Sequence, residues 1–318
     1  MNIFGLSLLF LLNNKKSLNT SDPDKYPLEK FSIASIFTSW FAIPLLFSPI
    51  FMLVALNIAG IKGFEEYYSK NENFSEITDI PILIVFVWYF FKEFKRANLN
   101  PKLIIGSLRK IDFKLPVGLA IIKFLFAWGA DYITMYGLSF VFPKYVENQI
   151  NQEYATSLLG WICFAIGALV FAPIMEELFF RGIIFQKLTI TRNSTQAILI
   201  SAIAFAVMHF RYDVIPLFIT GILYVILYLK TKQLIVPIAC HFFYNLIVTA
   251  VNLYEQLFSN TDPSIQTTIA EFQQQFRDRF ELYILLLAVS TPYLCYFIYK
   301  NFPRNYDIEK LPYFANQK

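Results

Sequence analysis

The chain has 318 residues, of which 56% are hydrophobic, 18% aromatic and only 16% charged. That balance excludes a soluble globular domain, where about 25% of residues carry charge, and identifies an all-α integral membrane protein. The formal net charge of +4 comes from cations spread over separate connections and gathered on no single face, which argues for setting orientation and against binding nucleic acid.

A helix needs ~20 mostly apolar residues to cross ~30 Å of hydrocarbon. In chain order, Ile3 to Leu12 is apolar but short, with no cation before it; it reads as an interfacial segment, neither a span nor a signal peptide. Eight later segments meet or approach the crossing length: Phe31 to Ile61, Ile77 to Phe91, Leu115 to Phe142, Leu158 to Lys187, Thr195 to Phe210, Val214 to Leu229, Leu234 to Tyr254, and Leu282 to Tyr299. Leu158 to Lys187 would run ~45 Å as one straight helix, so it must tilt, break near Pro173 or project from the membrane. The eight divide into residues 1–157 with about three spans, a core at 158–254, and 255–318, which holds a polar connection and the last span. In that connection Phe272, Phe276 and Phe280 recur every fourth residue, the pattern of a short amphipathic helix on the membrane surface.

With eight crossings, 19 cations fall on one side and 6 on the other, leaving Lys123 and Arg181 inside spans. Lys and Arg accumulate in cytoplasmic loops, so both termini are expected in the cytoplasm. Lys123 lies about eight residues from the end of its span and is expected to snorkel outward; Asp131 in the same span is assigned no catalytic role. Cys163, Cys240 and Cys295 all fall in spans and read as small core residues, not a disulfide framework. Gly182 and Gly221 are expected at close helix contacts.

Within the core, "EELFFR" places Glu176, Glu177 and Arg181 in an apolar run. An ionisable group at mid-bilayer costs ~2.5 to 3.5 kcal/mol on insertion scales, so it marks a functional position by default. Glu177 and Arg181 are spaced i, i+4 and neutralise each other, while Glu176 points ~100° away and has no such partner on its own helix. The chain has two histidines, His209 in "FAVMHF" and His241 in "HFFYN", with Asn245 one turn after His241. If the fourth and fifth segments form a hairpin turning near Thr191 to Ser194, Glu176 and His209 lie equally far from the turn, roughly 24 Å along each helix, and face each other. By the same count His241 lies roughly 15 Å from its own turn, at a shallower depth that tilt or a bend must make up.

These motifs, EExxxR, FxxxH with Phe205 and His209, and HxxxN, resemble the three ordered motifs of the CPBP intramembrane proteases, which include type II CAAX prenyl endopeptidases and bacterial Abi proteins. The resemblance covers residues 158–254. It implies hydrolysis of a peptide bond of a membrane-associated or prenylated-type protein or peptide substrate, within the lipid bilayer. Glu176 would then be the general base, His209 would position the water, His241 and Asn245 would donate to the oxyanion, and Glu177 with Arg181 would form an orienting ion pair. No cofactor is required in this reading. The alternative is a divalent metal such as zinc on Glu176, His209 and His241, although the chain lacks the HExxH pairing of one class of zinc proteases.

Two other classes stay open. A non-catalytic membrane scaffold or bacteriocin-immunity-type protein would use the same side chains as interhelical contacts. A proton-coupled transporter would use them as a relay and would usually show an inverted repeat, of which the sequence has no sign. A topology reporter fused after Lys318 should read as cytoplasmic; an external reading would refute the orientation drawn from the charge count.

Overall fold

The computed structural model describes residues 27–31, scattered positions between 35 and 53, and residues 74–106, 111–151, 158–258, 266–303 and 310–317. Every regular element among the described residues is helical. In lipid this is the economical solution, because a helix satisfies its own backbone hydrogen bonds where no water can. The expected interfacial segment Ile3 to Leu12 and most of Phe31 to Ile61 lie outside the described residues.

The principal helices are α1 (Phe74–Arg96), α2 (Lys114–Val141), α3 (from Leu158 to Thr191), α4 (Ser194–Met208), α5 (Val214–Thr231), α6 (Ile235–Phe258), α7 (Ile269–Asp278) and α8 (Phe280–Asn301). Five of them, α2, α3, α5, α6 and α8, are long and apolar enough to cross a membrane. The architecture is thus all-α and multi-pass. Large apolar side chains such as Trp88, Phe140 and Leu158 face outward, as they can when hydrocarbon surrounds a bundle.

The long fourth segment neither breaks nor stops at Pro173. It runs on through α-helical stretches at Leu158–Ile166, Ala172–Glu177 and Gln186–Thr191, separated by π-helical stretches at Gly167–Phe171 and Leu178–Phe185. A π turn closes i→i+5 bonds and leaves carbonyls open to other donors. Those donors come from neighbouring side chains: Asn245 Nδ2 donates to Ala168 O at 2.7 Å, Ser201 Oγ to Phe180 O at 3.1 Å, and Gln186 Nε2 to Gly182 O at 2.8 Å. All eight residues of the second π stretch are buried, so this part of α3 runs through protein on every side.

Helix α4 is shorter than expected. Asn193 caps its start by accepting from Gln196 N at 2.9 Å, and it ends at Met208, with His209 as C-cap and Phe210 at φ +50°. His209 therefore sits at a helix terminus, not inside a span. Between helices in lipid there is little hydrophobic drive, and small residues that allow close approach decide the contact. Gly221 of α5 meets α4 so closely that a Cβ there would stand 2.6 Å from Ala202 Cα, and one at Gly182 would stand 3.0 Å from Ile104 Cγ2.

Three expectations are corrected. Lys123 does not snorkel: it is 4% exposed, and its Nζ donates to Tyr224 Oη at 3.1 Å and lies 3.3 Å from the Tyr244 ring centroid. A hydroxyl and two aromatic faces hold it inward. Cys163 and Cys240 are buried, but Cys295 is exposed on the outer face of α8. Helix α7 forms behind a Thr268–Glu271 capping box, whose Thr268 amide and hydroxyl hold the Glu271 carboxyl below the usual carboxylate range. Its apolar face, however, covers protein. Phe272 and Phe276 are buried, Phe276 stacking on Tyr136 at 4.0 Å and Phe272 on Tyr132 at 6.4 Å, while Phe280 falls at the start of α8 and is exposed.

Gly221→Leu should lower thermal stability in detergent, with a cost of about 1 to 3 kcal/mol from overpacking, because the obstacle is helix backbone. Gly118→Ala, where an added Cβ meets nothing within 4 Å, should leave the midpoint unchanged. Equal midpoints for parent and Gly221→Leu would refute the contact.

Candidate active site

The sequence motifs come from α3, α4 and α6, and the fold brings them to one place. Glu177 and Arg181 are both fully buried, with Arg181 Nη1 donating to Glu177 Oε1 at 2.9 Å. The same oxygen receives His241 Nδ1 at 3.0 Å, so one carboxylate joins α3 to α6. The shallower depth expected for His241 is made up by the course of α3 and α6, and its near partner is Glu177, not Glu176.

The guanidinium has further company. Arg181 Cζ lies 4.1 Å from the Phe205 ring centroid and 5.2 Å from that of Tyr224. Aromatic faces stabilise a desolvated cation by ~2 kcal/mol or more, useful where Arg181 Nε and Nη2 find no hydrogen-bond partner. Phe205 also touches His209, ring centroids 4.6 Å apart, and Phe180, at 5.1 Å. It is a platform between the ion pair and the histidine of its own motif.

Glu176 and His209 face each other as the hairpin argument expects. His209 Nε2 lies 3.6 Å from Glu176 Oε2, with side-chain exposures of 21% and 16%, beyond ordinary hydrogen-bond range. The reason lies on the far side of the ring. His209 Nδ1 is 2.7 Å from Phe205 O, and a carbonyl only accepts, so Nδ1 carries the proton. In a neutral imidazole Nε2 is then an acceptor, aimed at another acceptor. Two acceptors do not bond each other; the space between them calls for a shared proton or an O–H donor. Glu176 Oε2 is buried with no hydrogen-bond partner, which fits that reading.

Asn245 lies beside the cluster with one Nδ2 hydrogen committed to Ala168 O, leaving the other. Among the described residues no three His, Cys, Asp or Glu side chains converge as a metal-ligand set. In His209 and His241 the Nδ1 nitrogens are turned to Phe205 O and to Glu177, which leaves both Nε2 positions open.

Sequence reasoning missed Lys123, Tyr224 and Tyr244. Tyr224 lies 5.5 Å from the His241 ring and accepts the bond from Lys123, so a buried lysine side chain backs the cluster from α2. The signal was available: Lys123 is one of two cations inside the spans.

The comparisons with known proteins agree with the motif reading. Residues 158–247 match a family described as Rce1-like, type II CAAX prenyl endopeptidase Rce1-like. The chain is also similar to a protein of Bacillus subtilis (strain 168) named "Putative membrane peptidase YdiL", at 26% identity over 202 residues, which cover 63% of this chain and 83% of that protein. No solved structure matches the chain.

Removing one member of the buried ion pair leaves an uncompensated charge, at a cost of about 3 to 5 kcal/mol. Arg181→Met should therefore destabilise the folded chain by that order in denaturant titrations in mixed micelles, and adding Glu177→Met should restore most of the loss. A single variant as stable as the parent would refute the pairing.

Proposed function

We propose that this protein, similar over residues 158–247 to type II CAAX prenyl endopeptidases, is an intramembrane endopeptidase that hydrolyses a peptide bond of a membrane-associated or prenylated-type protein or peptide with a water activated by Glu176 and His209. The observation that carries the reading is the approach of Glu176 Oε2 and His209 Nε2 to 3.6 Å, with His209 Nδ1 turned to Phe205 O. With the imidazole neutral both atoms are acceptors, and a water seated beside the pair would offer one hydrogen to each and turn a lone pair toward a bound peptide.

Glu176 takes the proton from that water as its oxygen attacks the carbonyl carbon. A bond forms between water oxygen and carbonyl carbon, and the carbonyl π electrons move to its oxygen. When the tetrahedral intermediate collapses, the C–N bond breaks and the protonated Glu176 returns its proton to the leaving amine. Base and acid are one carboxyl group at successive steps. The oxyanion needs donors. Asn245 offers its remaining Nδ2 hydrogen. His241 commits its Nδ1 hydrogen to Glu177 and would reach the oxyanion only with a second hydrogen, on Nε2.

The non-catalytic scaffold reading has one observation in its favour: Glu177, Arg181, His241 and Asn245 all make structural contacts across or within helices. Glu176 and His209 approach to 3.6 Å, just beyond ordinary hydrogen-bond length, and the two readings part there.

Glu176→Gln keeps size and polarity but cannot act as a base. It should lower cleavage by ~10² to 10⁴ fold with an unchanged melting temperature, read by mass spectrometry of membrane proteins from cells carrying parent, variant or neither. Parent-level cleavage by the variant would remove the mechanism; a retained biological role without any cleavage would favour the scaffold.

A further inference from the structure

A cavity of about 320 Å³ opens beside the candidate catalytic cluster, between α2, α6, α7 and the loop after His209. That size is within the range of small-ligand sites, ~300 to 1,000 Å³. Its walls are unlike the apolar core. Trp128 and Tyr132 of α2, Tyr244 of α6 and Phe272 of α7 give it aromatic faces, and Asp131 and Glu255 give it two carboxylates.

The charge balance is one-sided. Arg211 is the one cation among the lining residues, and its Nε is engaged by Asp213 Oδ1 at 3.1 Å. Lys123 does not line the cavity; it is held by Tyr224 and Tyr244. Asp131 Oδ1 is buried and has no hydrogen-bond partner, an expensive state for a carboxylate oxygen unless a ligand completes it. Aromatic faces beside a carboxylate oxygen that lacks a hydrogen-bond partner are recognition chemistry for an organic cation.

The position bears on the reaction. Arg211 lies two residues after His209, and Tyr244 lies next to Asn245 in the chain, so the loop and the helix that carry two of the site residues also wall the cavity. An extended peptide advances ~3.3 to 3.6 Å per residue, so a side chain a few residues from the bond being cut could enter it.

We propose that this cavity is a specificity subsite that takes a lysine or arginine side chain of the peptide substrate, its cation received by Asp131 and Glu255 and its stem lying against Trp128 and Tyr244. This rests on the endopeptidase reading for its peptide, but its test does not require cleavage. The full chain in detergent is incubated with four pools of acetylated octapeptides, randomised except at one position that is Lys, Arg, norleucine or Glu. Retained peptides and cleavage products are both quantified by mass spectrometry.

Retention of the Lys and Arg pools about tenfold above norleucine, with Glu lowest, is the expected result. Asp131→Asn with Glu255→Gln should erase the difference without changing retention of the norleucine pool. Glu255→Gln alone, on an exposed side chain, safeguards against misfolding of the double variant and should reduce the ratio about threefold. Equal retention of all pools, or a preference untouched by these substitutions, overturns the subsite; so does displacement of bound peptide by choline-headgroup lipid in place of competition by free Lys-containing peptide. A chain that keeps the preference but cuts nothing overturns the endopeptidase reading alone, and one that cuts every pool equally overturns the subsite alone.

Discussion

One oxygen of the Glu177 carboxylate holds the interior together. In a medium where each unpaired charge costs several kcal/mol, Oε1 of Glu177 accepts from Arg181 on its own helix and from His241 on α6. The Arg181 guanidinium in turn lies on Phe205 of α4. Through one oxygen and one aromatic ring, elements far apart in sequence are fixed relative to one another, and a slip of any of them would strand a charge. The bond network thus constrains helix rotation where lipid-facing apolar surface, indifferent to rotation, cannot.

Adjacent glutamates end in opposite situations because a helix turns about 100° per residue. Glu177 faces inward, where its Oε1 accepts from both Arg181 and His241. Glu176 faces the end of α4 and has an imidazole 3.6 Å away that is not bonded to it. The first is anchored by two side chains, and the second has one near neighbour. The same division runs through the asparagine, which secures a π-turn carbonyl with one hydrogen and has a second to give.

The fold class was legible because hydrophobic runs of crossing length need no tertiary information, and the Glu177–Arg181 pair because i, i+4 neighbours share a face. The meeting of Glu176 and His209 followed from equal distances to a shared turn. What stayed hidden depends on helix rotation. Lys123 is as able to reach outward as inward by sequence, and Tyr224 and Tyr244 decide the matter. Cys295 sits in an apolar run whose lipid face and protein face have the same composition. The apolar stripe of α7 is equally suited to lipid and to the tyrosines of α2 and α8. Depth counting for His241 assumed regular helices, whereas α3 carries two stretches of wider turns.

Those wider turns have a consequence for how the chain can change. A π stretch is an α-helix holding an extra residue in one wide turn, as at Gly167–Phe171. Loss of a single codon there would relax the turn to ordinary winding and leave the segments on either side nearly in phase. The carbonyl that Asn245 reaches would close on its own helix and set that amide free. The histidine–asparagine motif and the length of a stretch some seventy residues earlier are therefore coupled, and in drift between related chains they should change together.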